Sequence, residues 1–323
     1  MMAKQVLGAI FLTLALANLN AAFAQTVYVS NEKDNSIAIL DGKTGELKQT
    51  IIVGQRPRGI VLSHDKKALY ICASDDDTIQ VLDLKTGKIT HTLPSGDDPE
   101  TFALHPNGKL LYVSNEDDNL ATVIDVEKRE VVAEISVGVE PEGVGISADG
   151  RWAVITSETT NMVHWIDVET QTIVKNVLVD SRPRYIAFTP DAKEAWVSSE
   201  IGGAVNVIDS TSHAITQRIV FAIPGIESEK IQPVGIAHSG NGWSFVALGP
   251  ANHLAVVNRK TYEVEKYLLV GSRVWNLAFS LDGKWLYSTN GVSNDISIID
   301  VANLKVRKSV ATGRYPWGID VGP

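Results

Sequence analysis

The chain has 323 residues, 38 acidic and 29 basic side chains, a formal net charge of −9 and one cysteine. This balance argues against nucleic acid and anionic membrane surfaces as partners, and a lone cysteine excludes an internal disulfide. At its start, Met1 to Gln5 carries a single charge, Lys4, ahead of an apolar run from Val6 to Ala17. Ala22-Phe23-Ala24 then gives a small-x-small cleavage site before Gln25. Residues 1–24 therefore read as a secretory signal peptide cleaved after Ala24, with an apolar run too short to span a bilayer. Losing it removes one positive charge and no acid, taking the net charge from −9 to −10. The mature chain, 25–323, is expected in a periplasm, as one domain with no membrane insertion, and as a monomer.

From residue 26 onward the chain repeats. An apolar run closed by Asp or Asn recurs at Asp41, Asp83, Asp125, Asp167, Asp209, Asn258 and Asp300, with steps of 42, 42, 42, 42, 49 and 42. Each copy reads as four short β-branched-rich runs bounded by Gly, Asp, Asn or Pro. In the third copy these are Leu110–Ser114, Leu120–Ile124, Val131–Val137 and Gly143–Ser147. Seven copies at this period predict a seven-bladed β-propeller of four-stranded antiparallel blades with almost no helix. Its ring should close by pairing of the C-terminal strand around Gly318–Val321 with the N-terminal one at Val27–Ser30.

The turns follow the same order. Asn107-Gly108, Asp149-Gly150, Asn241-Gly242 and Asp282-Gly283 predict tight hairpins between equivalent strands. The repeated Asp of Asp41-Gly-Lys-Thr-Gly45 and its counterparts is expected to accept turn hydrogen bonds, a structural role. Tyr28, Tyr70, Tyr112, Val154, Trp196, Phe245 and Tyr287 form one column, expected between blades. Ser30, Cys72, Ser114, Thr156, Ser198, Ala247 and Thr289 form a small-residue column near the axis, which makes Cys72 a buried packing residue.

Function is sought in the loop leading into each innermost strand, where a Gly…Pro pattern recurs. The residues following it, Arg58, Glu100, Glu142, Arg184, Val234, Trp275 and Trp317, should ring a funnel. Two positions earlier stand Arg56, Asp98, Glu140, Arg182, Gln232, Arg273 and Tyr315. A charged wall facing an aromatic wall suits an amphipathic ligand. The plainer expectation is that Arg58 pairs with Glu100 and Arg184 with Glu142 in a wet polar rim of little energetic weight. No catalytic triad, metal constellation or cofactor motif is visible. His64, His105 and His238 are expected as solvated residues of the opposite face, and His164 as packing between blades. Asp75-Asp76-Asp77 and Glu116-Asp117-Asp118, together with Glu32, Glu158 and Glu200, are read as loop acids rather than a calcium site. The seven extra residues, around Ile223–Lys230, extend the loop into the sixth blade as a lid or docking finger.

The motif Val27-Tyr28-Val29-Ser30-Asn31, repeated as Leu111-Tyr112-Val113-Ser114-Asn115, resembles the YVTN-type β-propeller repeats, and more narrowly the PQQ-dependent catabolism-associated β-propeller group. That resemblance implies a non-catalytic periplasmic accessory of quinoprotein alcohol oxidation, with PQQ as a ligand or a quinoprotein dehydrogenase as partner. Arg56, Arg58, Glu100, Glu142, Arg182, Arg184, Arg273, Trp275 and Trp317, read from the funnel pattern, are the candidates to bind the ligand or partner. The alternatives are a lactonase-type hydrolase using Glu100 or Glu142 beside Arg58 or Arg184, and an electron-transfer subunit.

Overall fold

A computed structural model describes residues 25–323; the signal peptide expected over 1–24 lies outside the described residues. Seven four-stranded antiparallel sheets form a ring, as the repeat predicts. The third copy's strands, Leu110–Asn115, Leu120–Asp125 and Glu130–Ser136, follow an innermost strand Pro99–Leu104, giving blade 3. Among the described residues, the helical elements are two three-residue turns, Ser74–Asp76 and Ser228–Lys230. Blade 1 is the composite one. Its innermost strand, Pro316–Gly322, pairs antiparallel with Thr26–Asn31, placing Tyr28 opposite Asp320.

The aromatic column fills the gaps between blades. Trp196 packs into a cluster with Ile236, Val246 and Val257 of blade 6, and Phe245 into one with Leu277 and Leu286 of blade 7. Trp165, Trp196, Tyr112, Tyr287 and Phe245 are among the largest fully buried side chains, each worth about 1.5–3 kcal/mol of burial. The small column staples neighbouring blades: the hydroxyls of Ser30, Ser114 and Thr289 donate to the carbonyls of Arg58, Glu142 and Trp317 at 2.7, 2.6 and 2.7 Å. Cys72 sits fully buried in this column and burial pushes its thiol well up, as expected of a packing residue.

Innermost strands approach so closely that some columns require glycine. An added Cβ would meet the next blade's carbonyl oxygen at 2.5 Å on Gly143 and 2.3 Å on Gly318. The hairpin glycines behave as read, with φ of +74° at Gly108 and Gly150 and +67° at Gly283. The lower-face histidines depart from the sequence reading. His105 Nε2 bonds the Gly150 carbonyl at 2.9 Å in the next blade. His238 lies edge-on to Trp196 and contacts Ala187 of blade 5, and burial pushes its pKa down to about 4. These two rings therefore sit against the neighbouring blade. His64 remains exposed. His164 is buried, bonding Asn176 and Ser157 of its own blade and the Gly138 amide in the loop from blade 3.

Candidate active site at the top of the channel

The lip of the funnel is set by a backbone device. Arg56, Asp98, Glu140, Arg182, Arg273 and Tyr315 all adopt left-handed conformations, with φ between 47° and 58°, which are costly for residues other than glycine. Each is held by a side chain from the preceding blade. The amides of Arg56, Glu140, Arg182, Arg273 and Tyr315 donate to Asn35, Asn119, Asn161, Asn252 and Asn294 at 2.8–3.1 Å. Asp77 does the same for Asp98 at 3.0 Å. In blade 5 this column holds Gly203, which has no acceptor to offer. The lip residue facing it, Gln232, follows the seven-residue insertion and is not among the left-handed residues. The missing amide clamp and the insertion thus coincide. The loop acids read as solvated serve the same scaffold: Asp76 and Asp118 accept from the amides of Gln55 and Asp97 at 2.8 and 2.7 Å.

With the lip fixed, the predicted ring residues converge on the axis. Arg58 pairs with Glu100 and Arg184 with Glu142, as expected from sequence. The surroundings differ from the expected wet rim. Glu100 is fully buried, Glu142 is 2% exposed and Arg184 9%, because the close-packed innermost strands leave little water at that level. Pairs in such a setting are costly to break.

The ion pairs extend into one network. Arg56 also reaches Asp75, Asp98 and Glu100. Arg58 lies 3.7 Å from Glu142 and 3.8 Å from Glu32. Arg184 contacts Glu158 at 2.8 Å and Glu200 at 3.7 Å. Arg182 and Arg273 both close on Glu200, at 3.3 and 2.8 Å. Glu32, Glu158 and Glu200 occupy one repeat column, with Glu116. Sequence reasoning noted them as loop acids and missed their inward direction. The signal was available, since they fall at the repeat period immediately after the pair of small polar residues closing each second strand.

Burial governs the protonation of these acids. It raises Glu142 to about 7, against the opposing pull of Arg184, and Glu158 likewise to about 7. Glu116, half-buried beside Glu100, is pushed up to about 8. The oxygens of Asp98, Glu100 and Glu116 come within 4.8 Å of one another, a close acidic group already partly neutralised by Arg56.

The aromatic wall is also as read. Arg58 lies 5.3 Å over the Trp317 ring, and Arg273 and Arg184 lie 4.3 and 5.6 Å from the Trp275 ring. A small cavity between the walls, with room for about one water, is lined by Thr101, Glu142, Arg184, Tyr185, Trp275 and Trp317, among others. It brings one carboxyl that titrates near neutrality, one guanidinium and two indoles to the same space. All nine residues singled out from sequence therefore lie in this network or on its aromatic wall, while Val234 contributes an apolar edge to the cavity.

Two family models match parts of the chain. The lactonase seven-bladed β-propeller model matches residues 21–95, and the cytochrome D1 heme domain model matches 64–181. No curated protein matches. Among solved structures, hydrazine synthase of Kuenenia stuttgartiensis is 21% identical with a TM-score of 0.78, covering 86% of this chain and 92% of that one. A putative 6-phosphogluconolactonase from Bacteroides fragilis is 18% identical with a TM-score of 0.78, covering 94% and 99%. Dihydro-heme d1 dehydrogenase NirN in complex with DHE is 14% identical with a TM-score of 0.67, covering 91% and 74%. At these identities the likeness establishes a seven-bladed propeller fold.

Proposed function

We propose that the funnel hydrolyses a lactone, with Glu142 as general base and Arg184 as the oxyanion-stabilising group. The observation that carries this reading is Glu142 itself: a buried carboxyl, 2.7 Å from the Arg184 guanidinium, lining a cavity and raised by burial to about 7. A base of that strength takes a proton from water near neutral pH. The hydroxide equivalent attacks the ring carbonyl, and negative charge gathers on its oxygen beside Arg184 in a dry site, where a fixed cation acts strongly. Ring opening breaks the acyl C–O bond. The proton held by Glu142 passes to the departing alkoxide, giving a hydroxy acid. The lactonase model match and the putative 6-phosphogluconolactonase neighbour support this reaction class.

The accessory reading linked to PQQ has less behind it, since neither matched model is of that group. A heme-binding reading follows from the cytochrome D1 match. Of the histidines, His164, His238 and His105 are engaged in the blades by the contacts above. The apolar leader supports export, so we place the reaction in the periplasm.

The test is hydrolysis of γ- and δ-lactones by the mature chain, with Glu142→Gln alongside. Activity should rise with pH and level off above about 7, and the variant should lose roughly 10²–10⁴-fold in kcat. A wild-type chain that hydrolyses none of them, but binds PQQ or heme, would replace this reading.

A further inference from the structure

Two charged residues break the repeat at one place, on the face of the ring away from the funnel. Glu194 opens the second strand of blade 5, Glu194–Ser199. Its counterparts in the other blades are Thr26, Ala68, Leu110, Trp152, Trp243 and Trp285. Arg259 follows the third strand of blade 6, His253–Asn258, where the others carry Gly42, Leu84, Val126, Val168, Ser210 and Val301. The other blades fold without a charge at either position, so the architecture does not call for one. Both side chains line a cleft of about 320 Å³ where blade 5 meets blade 6, a volume at the small end of ligand-binding sites.

Neither charge is matched within the described residues. Arg259 Nη1 donates to the Ser239 and Trp243 carbonyls at 2.7 and 2.9 Å. Among the described residues its Nε and Nη2 donate to nothing, and no carboxylate forms an ion pair with it. Burial lowers its pKa despite the pull of Asp191 and Glu194, as expected of a cation without a close counter-ion. The unused Nε–Nη2 edge is the one with which Arg218 clasps both oxygens of Asp180, at 2.8 and 3.0 Å. Glu194 accepts from the Tyr262 hydroxyl at 2.5 Å and the Trp196 indole at 3.0 Å. Both donors are neutral, and no cation pairs with Glu194 among the described residues. These contacts pin the acid and the guanidinium where they do not pair with each other. Asp191, also on the cleft, is already paired with Lys193 at 3.6 Å.

The ligand follows from that arrangement. A simple anion would satisfy Arg259 and be repelled by Glu194, and a simple cation would meet the reverse. A molecule carrying both charges suits both walls, and a third charge would find Asp191 and Lys193 taken by one another. We propose that this cleft binds an α-amino acid with an uncharged side chain, its carboxylate on the Nε–Nη2 edge of Arg259 and its ammonium on Glu194. The site is separate from the funnel and does not rest on the hydrolytic reading.

The experiment is isothermal titration of the mature chain with glycine, L-alanine, L-serine, L-leucine and L-phenylalanine. Acetate and ethylammonium serve as single-charge controls, and L-glutamate and L-lysine as amino acids with a third charge. At least one neutral amino acid should bind, at least about tenfold more tightly than either single-charge control, since each control forfeits one charge contact. Arg259→Gln and Glu194→Gln should each weaken that amino acid at least about tenfold. Arg259→Lys, which keeps the charge and loses the two-pronged edge, should also weaken it and stands in if Arg259→Gln does not fold, as judged by its melting curve. Acetate binding as tightly as the best amino acid, with Glu194→Gln indifferent, overturns the proposal. So does L-glutamate or L-lysine matching the best neutral member, amino-acid binding that survives the substitutions, or no binding across the panel.

Discussion

Asp209, in an outer turn, and Glu142, on the axis, are both carboxyls, yet the fold drives their proton affinities in opposite directions. Asp209 accepts from the amides of Thr211 and Ser212 at 3.1 and 2.7 Å and from the Ser212 hydroxyl at 2.8 Å. Those donors hold it below the usual range, and water still solvates its charge. Glu142 has a guanidinium at 2.7 Å but sits where water is excluded, and burial outweighs the cation. The ion pair alone would have lowered Glu142 as well. What decides is whether the solvent lost on folding is fully replaced.

Arg184→Ala tests that contrast most severely, because it strips the shared cation from Glu142, Glu158 and Glu200. Removing one side of a buried ion network should cost about 3–5 kcal/mol, read as a shift in the urea midpoint. A cost under ~1 kcal/mol would mean the axis is wetter than its packing indicates. Titration gives the next largest effect. Glu142, Glu158 and Glu116 have raised folded pKa values, so their protonated forms favour the fold. That stability is fully present below the ordinary glutamate value of 4.5 and is lost as pH rises through about 7 to 8. The turn aspartates act in the other direction. Asp209 and Asp41 are depressed, so their contribution is present above the usual 3.8 and lost on acidification below it. Melting temperature should therefore fall towards both extremes, with the alkaline limb reduced in a Glu142→Gln, Glu158→Gln double variant and the acid limb untouched.

Smaller effects sharpen the turn side. Asp209→Ala should cost at most about 1 kcal/mol, since water can take over the freed amides. Arg129 is exposed and left-handed, with φ of 62°, at the position Gly45 and Gly87 fill in blades 1 and 2. Arg129→Gly should raise stability by up to roughly 1 kcal/mol by relieving that conformation; an unchanged melting temperature would show that the turn adapts.

The architecture was open to reading because each blade restates it. Tyr112, Asp125 and Gly108 carry information that seven aligned copies reinforce. The pairs Arg58–Glu100 and Arg184–Glu142 were readable for the same reason, being adjacent members of one column. Their dryness was not, because it arises from backbone approach at Gly143 and Gly318, and no single repeat contains both partners of that contact. The inward turn of Glu158 and Glu200 stayed hidden behind their loop-like neighbours. His238 was misjudged since a hairpin position says nothing about the adjacent blade. The Asn35, Asn119, Asn161, Asn252 and Asn294 column lay in plain view at the repeat period, but its partners are the next blade's amides, which sequence does not display.

The pairing of Tyr28 with Asp320 also bears on the order of assembly. A chain made from its N-terminus carries an unmatched strand edge at Thr26–Asn31 until its last residues arrive, so every earlier stage is an open arc. Joining its ends carries the entropy of closing the loop between Thr26–Asn31 and Pro316–Gly322. The final strand is a latch, and the network above the channel, which draws residues from blades at both ends of the arc, reaches its finished geometry only after that latch has closed.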